Sequence, residues 1–269
     1  MADKNKGTAL VTGASSGIGA EFARQLAVAG HGVILVARRR DRLERLQAEI
    51  VSECGVSAEV IVADLADSGQ RLEVEKAASK VPLSMLVNNA GVGGISPFAD
   101  VPLADIQRAM DVNVVALTRL THAALPGMLA RGHGTIVNVG SALSFATMPN
   151  AAVYAGTKAY VVQFTCALND EVGEKGIRLQ ALIPGLVRTE LGPPEFYDQF
   201  PSEAVMLPDA LVRASLAGLE LNELICAPVL PVIDDLQAAI GSLRHVGQHI
   251  ASARPATPAD RYSFASSDG

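Results

Sequence analysis

The chain contains no tryptophan, only 4% aromatic residues and three cysteines among its 269 residues. Cys54, Cys166 and Cys226 lie far apart, and an odd count with no C-x-x-C spacing excludes a disulfide framework and a zinc-ribbon type of site. They read as buried thiols kept in a reducing compartment, which points to a cytoplasmic protein. No apolar run reaches the ~20 residues of a membrane span, and the start, Met1-Ala2-Asp3-Lys4-Asn5-Lys6, has no secretory h-region. Positive charge is in deficit: a net charge of −6 and the lack of an aromatic or zinc-based module exclude a nucleic-acid partner. Glycine and proline, 24 and 14 residues, are too few for a low-complexity chain.

What is present is a strong alternation. Thr8–Thr12, Gly32–Ala37, Glu59–Ala63, Ser84–Val87, Gly134–Val139 and Arg178–Ile183 are short β-branched runs. Between them lie helix-length amphipathic stretches: Ala20–Ala29, Asp41–Glu53, a helix near Arg71–Ser79, Leu103–Arg131 with Pro126 as its weak point, and Val153–Glu174. Near-continuously apolar strands imply a sheet covered on both faces, and strand–helix alternation implies right-handed crossovers. The pattern predicts an α/β fold: a doubly wound parallel sheet in one domain over residues 1–251. Pro208–Leu221 reads as a further helix and Leu224–Leu230 as a last strand. Leu236, Ile240, Leu243, Val246 and Ile250 form one stripe of a C-terminal helix, 234–251, packed on another surface. Residues 252–269 are polar and read as a disordered tail.

Thr12-Gly13-Ala14-Ser15-Ser16-Gly17-Ile18-Gly19 follows the first strand and opens a helix. A helix N-terminus presents unpaired N–H groups and a positive dipole end to phosphate, and glycines let the backbone approach it. Dinucleotide binding by Gly13, Ser15, Ser16, Gly17, Ile18 and Gly19 follows, although the spacing is G-x-x-x-G-x-G rather than G-x-G-x-x-G. At the end of the second strand an acid would select NAD, whereas arginine accommodates the 2′-phosphate of NADP. The chain has Arg38-Arg39-Arg40 there and no acid before Asp41. The expected cofactor is NADP(H), with Arg38 as first contact, Arg39 as second, and Ser15 assisting.

Three motifs in order, TGASSGIG, Asn88-Asn89-Ala90-Gly91 and Tyr154-x-x-x-Lys158, resemble those of the short-chain dehydrogenase/reductase family over about residues 7–190. The resemblance implies a Rossmann-type sheet, a nicotinamide cofactor and a catalytic tetrad of Asn113, Ser141, Tyr154 and Lys158, with Tyr154 as general acid/base and Tyr154 and Lys158 also contacting the cofactor, Lys158 at the nicotinamide ribose. A cation close to Tyr154, and the charge of an oxidised nicotinamide, would lower the phenol pKa. Ser141, thirteen residues before Tyr154, would hold the substrate oxygen; Ser144 is its competitor. Further cofactor contacts implied are Asp64 and Leu65 (a helix cap being equally open for Asp64), Asn89, Ala90, Gly91, Pro184, Gly185, Val187 and Thr189, with Leu186 as an alternative to Val187.

Residues 190–207 occupy the place of the family's substrate lid. Phe196, Tyr197 and Phe200, with Leu143, Phe145 and Met148 after Ser141 and Val92 and Ile95 after the second motif, would wall the pocket. They suit a hydrophobic ketone, aldehyde or secondary alcohol without a charged head group. The family suggests a homodimer or homotetramer through the helices around 103–130 and 153–174. The acidic-glycine-glycine ending of many members is missing, so the tetramer contact is in doubt. His245 and His249 are four apart but have no third ligand, and no metal site is assigned. Gly13–Gly17 lacks the offsets of a hydrolase elbow. Two other classes stay open: a non-catalytic NADP(H)-sensing or scaffold protein, and a dehydratase or epimerase that retains its cofactor.

Overall fold

The computed structural model describes residues 6–252; the tail assigned to 252–269 lies outside them apart from Ser252. They divide into two compact units, one reaching Val229 and one beginning at Leu230. In the first, the elements run β1 (Thr8–Thr12), α1 (Gly17–Val28), β2 (Gly32–Ala37), α2 (Arg40–Cys54), β3 (Ala58–Val62), α3 (Ser68–Lys80) and β4 (Leu83–Asn88). The chain continues through α4 (Leu103–Met110), α5 (Leu117–Arg131), β5 (Gly134–Val139), α6 (Ala152–Val172), β6 (Ile177–Leu182), α7 (Pro194–Tyr197), α8 (Pro208–Glu220) and β7 (Ile225–Cys226). In the second unit, α9 (Asp234–Ser252) buries Leu236 but leaves Leu243, Val246 and Ile250 of its apolar stripe exposed.

The sheet is parallel, in the order β3-β2-β1-β4-β5-β6-β7. The doubly wound α/β architecture follows from β1, β2, β4 and β5 being apolar on both sides. Val11 and Leu35 bury toward one layer with Phe22, Leu26, Leu43 and Ile50; Leu10, Ile34 and Leu86 bury toward the other with Val74, Leu120 and Met128. Two opposed apolar faces per strand require helices on both sides. The order of strand addition reverses between β1 and β4, and in open α/β sheets the crevice at that switch point, outside the strand carboxyl ends, is where ligands bind.

Several boundaries differ from the sequence reading. Helix α1 begins at Gly17 rather than Ala20, which puts Gly17 and Ile18 in its first turn. The last strand is only Ile225–Cys226, not Leu224–Leu230, because the following Pro228 and Pro231 cannot donate to a ladder. Pro126 sits inside α5 without ending it. The departure from α geometry falls instead at Asp111–Ala116, a π-helical turn between α4 and α5, the kind of irregularity that is frequent at functional sites. Cys166 and Cys226 are buried as expected, but Cys54, the last residue of α2, is half-exposed.

Candidate active site

The carboxyl ends of β1, β4, β5 and β6 converge on one edge of the sheet, and each contributes a loop. At β1, Gly13 (φ 69°) and Gly17 (φ 55°) adopt left-handed backbone that other residues resist. A side chain at position 19 would place its Cβ 2.4 Å from the Gly13 carbonyl oxygen, so only glycine closes this turn. Ser16, the N-cap of α1, makes no side-chain cap. The first-turn amides, which have no partner within a helix, are thus left to a ligand, as a pyrophosphate cradle requires.

Thr12 ties this turn to the second motif. Its Oγ1 donates to Val87 O at 3.2 Å and accepts from the amides of Asn89 and Ala90, both at 3.0 Å. Asn89 Nδ2 donates to Thr12 O at 2.9 Å. Asn88 points into the core, where its Nδ2 donates to Thr121 Oγ1 (3.0 Å) and Asn138 Oδ1 (2.9 Å), and Asn138 Nδ2 donates to Thr165 Oγ1 (3.0 Å). Buried polar groups must be paired, and this network joins β4, β5, α5 and α6 behind the site. Thr12, Thr121 and Asn138 were not singled out in the sequence, since single threonines and asparagines in strands and helices carry no local signature.

The end of β2 departs from expectation in detail. Arg38 is exposed, near enough to Asp64 to stabilise its charge. Arg39, ranked second, is the one bonded to the glycine turn: Nε and Nη2 donate to Ser15 Oγ at 3.0 and 2.8 Å, and Nη2 to Ser16 Oγ at 2.6 Å. Asp64 accepts from Ala66 N (3.0 Å) and from Arg108 Nη2 (3.0 and 2.8 Å); the cap of α3 is Asp67 instead. Burial disfavours the Asp64 carboxylate, but the Arg108 guanidinium and the Ala66 amide outweigh it and hold its pKa below the usual value. Leu65 is buried beside it.

The four residues of the expected tetrad come together at the ends of β5 and α6 and at the π-helical turn. Asn113 is 2% exposed; Nδ2 donates to Val92 O (2.8 Å) and Thr157 Oγ1 (3.0 Å), while Oδ1 accepts from Val92 N (2.9 Å). A Cβ on Gly91 would stand 3.5 Å from both Asn113 Oδ1 and Lys158 Nζ, so the two side chains meet there. Ser141 lies close enough to Tyr154 to favour its phenolate, while the Ser141 hydroxyl accepts from Leu143 N at 3.2 Å. Ser144 is excluded from that role: its hydroxyl donates to Lys158 O (2.9 Å) and accepts from Ser141 N (3.2 Å).

Lys158, 5% exposed, donates from Nζ to Val139 O at 2.8 Å and lies 5.7 Å from the centroid of the Tyr154 ring. Burial lowers its pKa to about 8. The expectation that this cation lowers the phenol pKa is corrected. Burial pushes Tyr154 up, the Ser141 hydroxyl opposes it, and Tyr197 pushes it further up. The ammonium is turned to a strand carbonyl rather than to the phenol.

Above the site, the Pro184–Thr189 segment is pinned by Ala142 N donating to Pro184 O (3.0 Å) and by a bridge between Val187 and Met206. Gly185 backs onto Val229 and Gly17 onto Thr189. Thr189 Oγ1 and Tyr197 Oη are 3.3 Å apart. Phe196 packs edge-on against both Tyr197 and Phe200, at 5.4 and 5.5 Å between centroids, and Tyr197 is buried. A cavity of about 390 Å³ opens beside Tyr154, walled by Val92, Gly93, Ile95, Phe98, Ile106 and Val153, with Asp105 and Arg108 at its polar side. Leu143, Phe145, Met148 and the three lid aromatics do not line it. Val92 and Ile95 were expected; the α4 contribution was not, because it arises from a helix beginning 51 positions before Tyr154.

The short chain dehydrogenase profile matches residues 7–199. The chain belongs to the short-chain dehydrogenase family. Among solved structures, a short-chain dehydrogenase from Sphingobium yanoikuyae in complex with NADPH is 37% identical with a TM-score of 0.89, over 95% of this chain and 100% of that one. A bulky-bulky ketone specific alcohol dehydrogenase from Comamonas testosteroni is 35% identical with a TM-score of 0.86, over 96% and 99%. The very-long-chain 3-oxoacyl-CoA reductase of Anas platyrhynchos is 34% identical over 227 residues, 82% of this chain and 72% of its own length. That of Laccaria bicolor is 37% identical over 217 residues, but this chain spans only 63% of its length. The chain is an oxidoreductase acting on hydroxyl and carbonyl groups. No helix among the described residues is long and apolar enough to cross a membrane.

Proposed function

We propose that the protein transfers hydride between NADP(H) and a hydrophobic ketone, aldehyde or secondary alcohol, with Tyr154 as general acid/base. The observation that carries this reading is Tyr154 itself, which stands beside Ser141 and Lys158 while forming the wall of a largely apolar cavity. The cofactor is NADP(H). The residues present fit it: a glycine cradle that a Cβ would fill, open first-turn amides, and arginines without an acid at the end of β2. The NADPH complex of the Sphingobium relative supports the same choice.

Gly13, Ser15, Ser16, Gly17, Ile18 and Gly19 would hold the pyrophosphate, and Arg39 with Arg38 the ribose phosphate. Asp64, Leu65, Asn89, Ala90 and Gly91 would line the adenine side and floor, and Pro184, Gly185, Val187 and Thr189 the nicotinamide end. Bound there, the nicotinamide supplies or accepts the hydride. Ser141 Oγ holds the carbonyl oxygen beside Tyr154 Oη, a positioning and electrostatic role. Tyr154 is protonated at neutral pH, as a phenol ordinarily is and as burial further favours, and that is the state that donates to the oxygen as negative charge develops on it. Lys158 and Asn113 fix the floor beneath the phenol. Residues 190–207 act as the cover, and the cavity between the Val92–Phe98 loop and α4 takes one of the two substituents flanking the carbonyl.

The reading also includes a homodimer or homotetramer through the helices around 103–130 and 153–174, which sedimentation would measure. Steady-state rates with aromatic and aliphatic ketones, carboxylated ketones and 3-oxoacyl thioesters, each with NADPH and NADH, test the function. Turnover is expected with uncharged bulky ketones and NADPH. A preference for carboxylated or thioester substrates, or for NADH, would count against it.

A further inference from the structure

Glu190 stands directly after Thr189, at the start of the segment read above as the cover of the substrate site. Its carboxylate is nevertheless bound by residues 151 and 148 positions earlier in the chain. Arg39 Nη1 donates to it at 2.6 Å, and Arg42 Nη1 donates to both oxygens at 2.5 and 2.6 Å. The other edge of the Arg39 guanidinium is taken by Ser15 and Ser16 of the glycine turn. Arg39 therefore links the phosphate cradle to Glu190, and Glu190 links both to the cover. The two guanidiniums hold the Glu190 carboxyl below its ordinary pKa, so it is an anion at neutral pH. Side chains of the group are 37–53% exposed, and ion pairs of that kind add little to folding stability.

We infer that Glu190 is a cofactor-specificity residue: its carboxylate occupies Arg39 and Arg42 in the unliganded protein, and the ribose 2′-phosphate of NADP(H) displaces it. This rests on the NADP(H) reading. The physical case is like-charge exclusion. A phosphate carries about −1.5 to −2 charges at neutral pH. Placed within reach of Arg39, it would lie beside a carboxylate that already uses the same donors. Two anions that close together repel, and the more highly charged one forms the stronger charge-assisted bonds. NAD(H), which has a hydroxyl in that place, has nothing to exchange for Glu190. Binding of NADP(H) thus detaches the first residue of the 190–207 segment from the nucleotide half, whereas binding of NAD(H) leaves it fastened.

Calorimetric titration of the unliganded protein with NADP⁺, NAD⁺, 2′,5′-ADP and 5′-AMP, for wild type and Glu190→Gln, tests the inference. The variant is expected to bind NADP⁺ and 2′,5′-ADP about three- to fivefold more tightly, the scale of an exposed ion-pair competitor, with NAD⁺ and 5′-AMP unchanged. In wild type, 2′,5′-ADP but not 5′-AMP should speed amide hydrogen exchange at 190–200. Unchanged or weaker binding of 2′,5′-ADP to Glu190→Gln, or equal exchange with both nucleotides, overturns the inference. A wild type that binds NAD⁺ as tightly as NADP⁺ overturns the cofactor reading itself, whatever the variant does.

Discussion

At the carboxyl ends of β1 to β3 the polar side chains are charged and half in water: Arg39, Arg42 and Glu190, with Arg108 and Asp64 beside them. At the ends of β4 to β6 they are mostly neutral and buried: Asn88, Asn113, Asn138, Thr157 and Thr165, with Lys158 as the single cation among them. The first group forms exposed, exchangeable ion pairs. The second forms two clusters of side-chain amides and hydroxyls, one of Asn88, Thr121, Asn138 and Thr165 and one of Asn113 and Thr157, with only the Asn88 Oδ1 left buried and unpaired among them. The difference matches two tasks. A polyanionic ligand must enter from water and leave again, so its partners are solvated and screened. A proton donor must stand in one place out of water, so its supports are dry and paired.

The contrast can be broken in three ways. Removing the phenolic hydroxyl touches only the dry half. Tyr154→Phe should lower kcat by about 10²–10⁴-fold and leave NADP⁺ affinity within about twofold of wild type. Retained turnover in rate assays, or lost binding in titration, would show that the halves do not divide the work.

The second test asks whether Lys158 is as deeply dry as its burial indicates. An ammonium whose folded pKa lies near 8, against an ordinary 10.5, is penalised by folding, and the sign is that of a destabilising group. Above pH 10.5 lysine is neutral folded or unfolded, and there is no penalty. The penalty grows as pH falls toward 8 and is complete below it. Wild type should therefore lose about 3 kcal/mol relative to Lys158→Met across that window, read by urea denaturation at several pH values. A pH-independent difference would mean that water reaches Nζ.

The smallest effect belongs to the wet half. Raising salt from about 0.05 M to about 0.5 M should weaken NADP⁺ binding by about three- to tenfold through screening, and leave kcat at saturating cofactor within about twofold. Equal sensitivity of the two parameters would erase the distinction.

The same division explains what could be read in advance. The glycine turn, the Asn-Asn-Ala-Gly run and the Tyr-x-x-x-Lys pair are each local in sequence, because a turn or one helix face brings neighbours together. So the fold class was legible, and candidate residues for a cradle and a tetrad could be picked out. Arg39 and Arg38 lie side by side in a run of like charges, and only the path of the backbone beyond β2 decides which one reaches the turn. Ser141 was preferred to Ser144 on its offset from Tyr154 alone, and the physical reason, the Lys158 carbonyl of α6 that occupies the Ser144 hydroxyl, needed the structure. The cavity wall from α4, the exposed stripe on α9 and the two-residue β7 all depend on what lies opposite, which no periodicity records.

By itself the sequence determined a parallel sheet covered on both faces and a glycine-rich turn opening the first helix, since apolar runs and glycine spacing act over a few residues. The tertiary structure alone decided the protonation of the site. Whether Tyr154 keeps its proton, and how weak a base Lys158 becomes, depend on how completely distant β5, α6 and the π-helical turn remove water from them. Desolvation is a property of the enclosing volume, and no stretch of chain carries it alone.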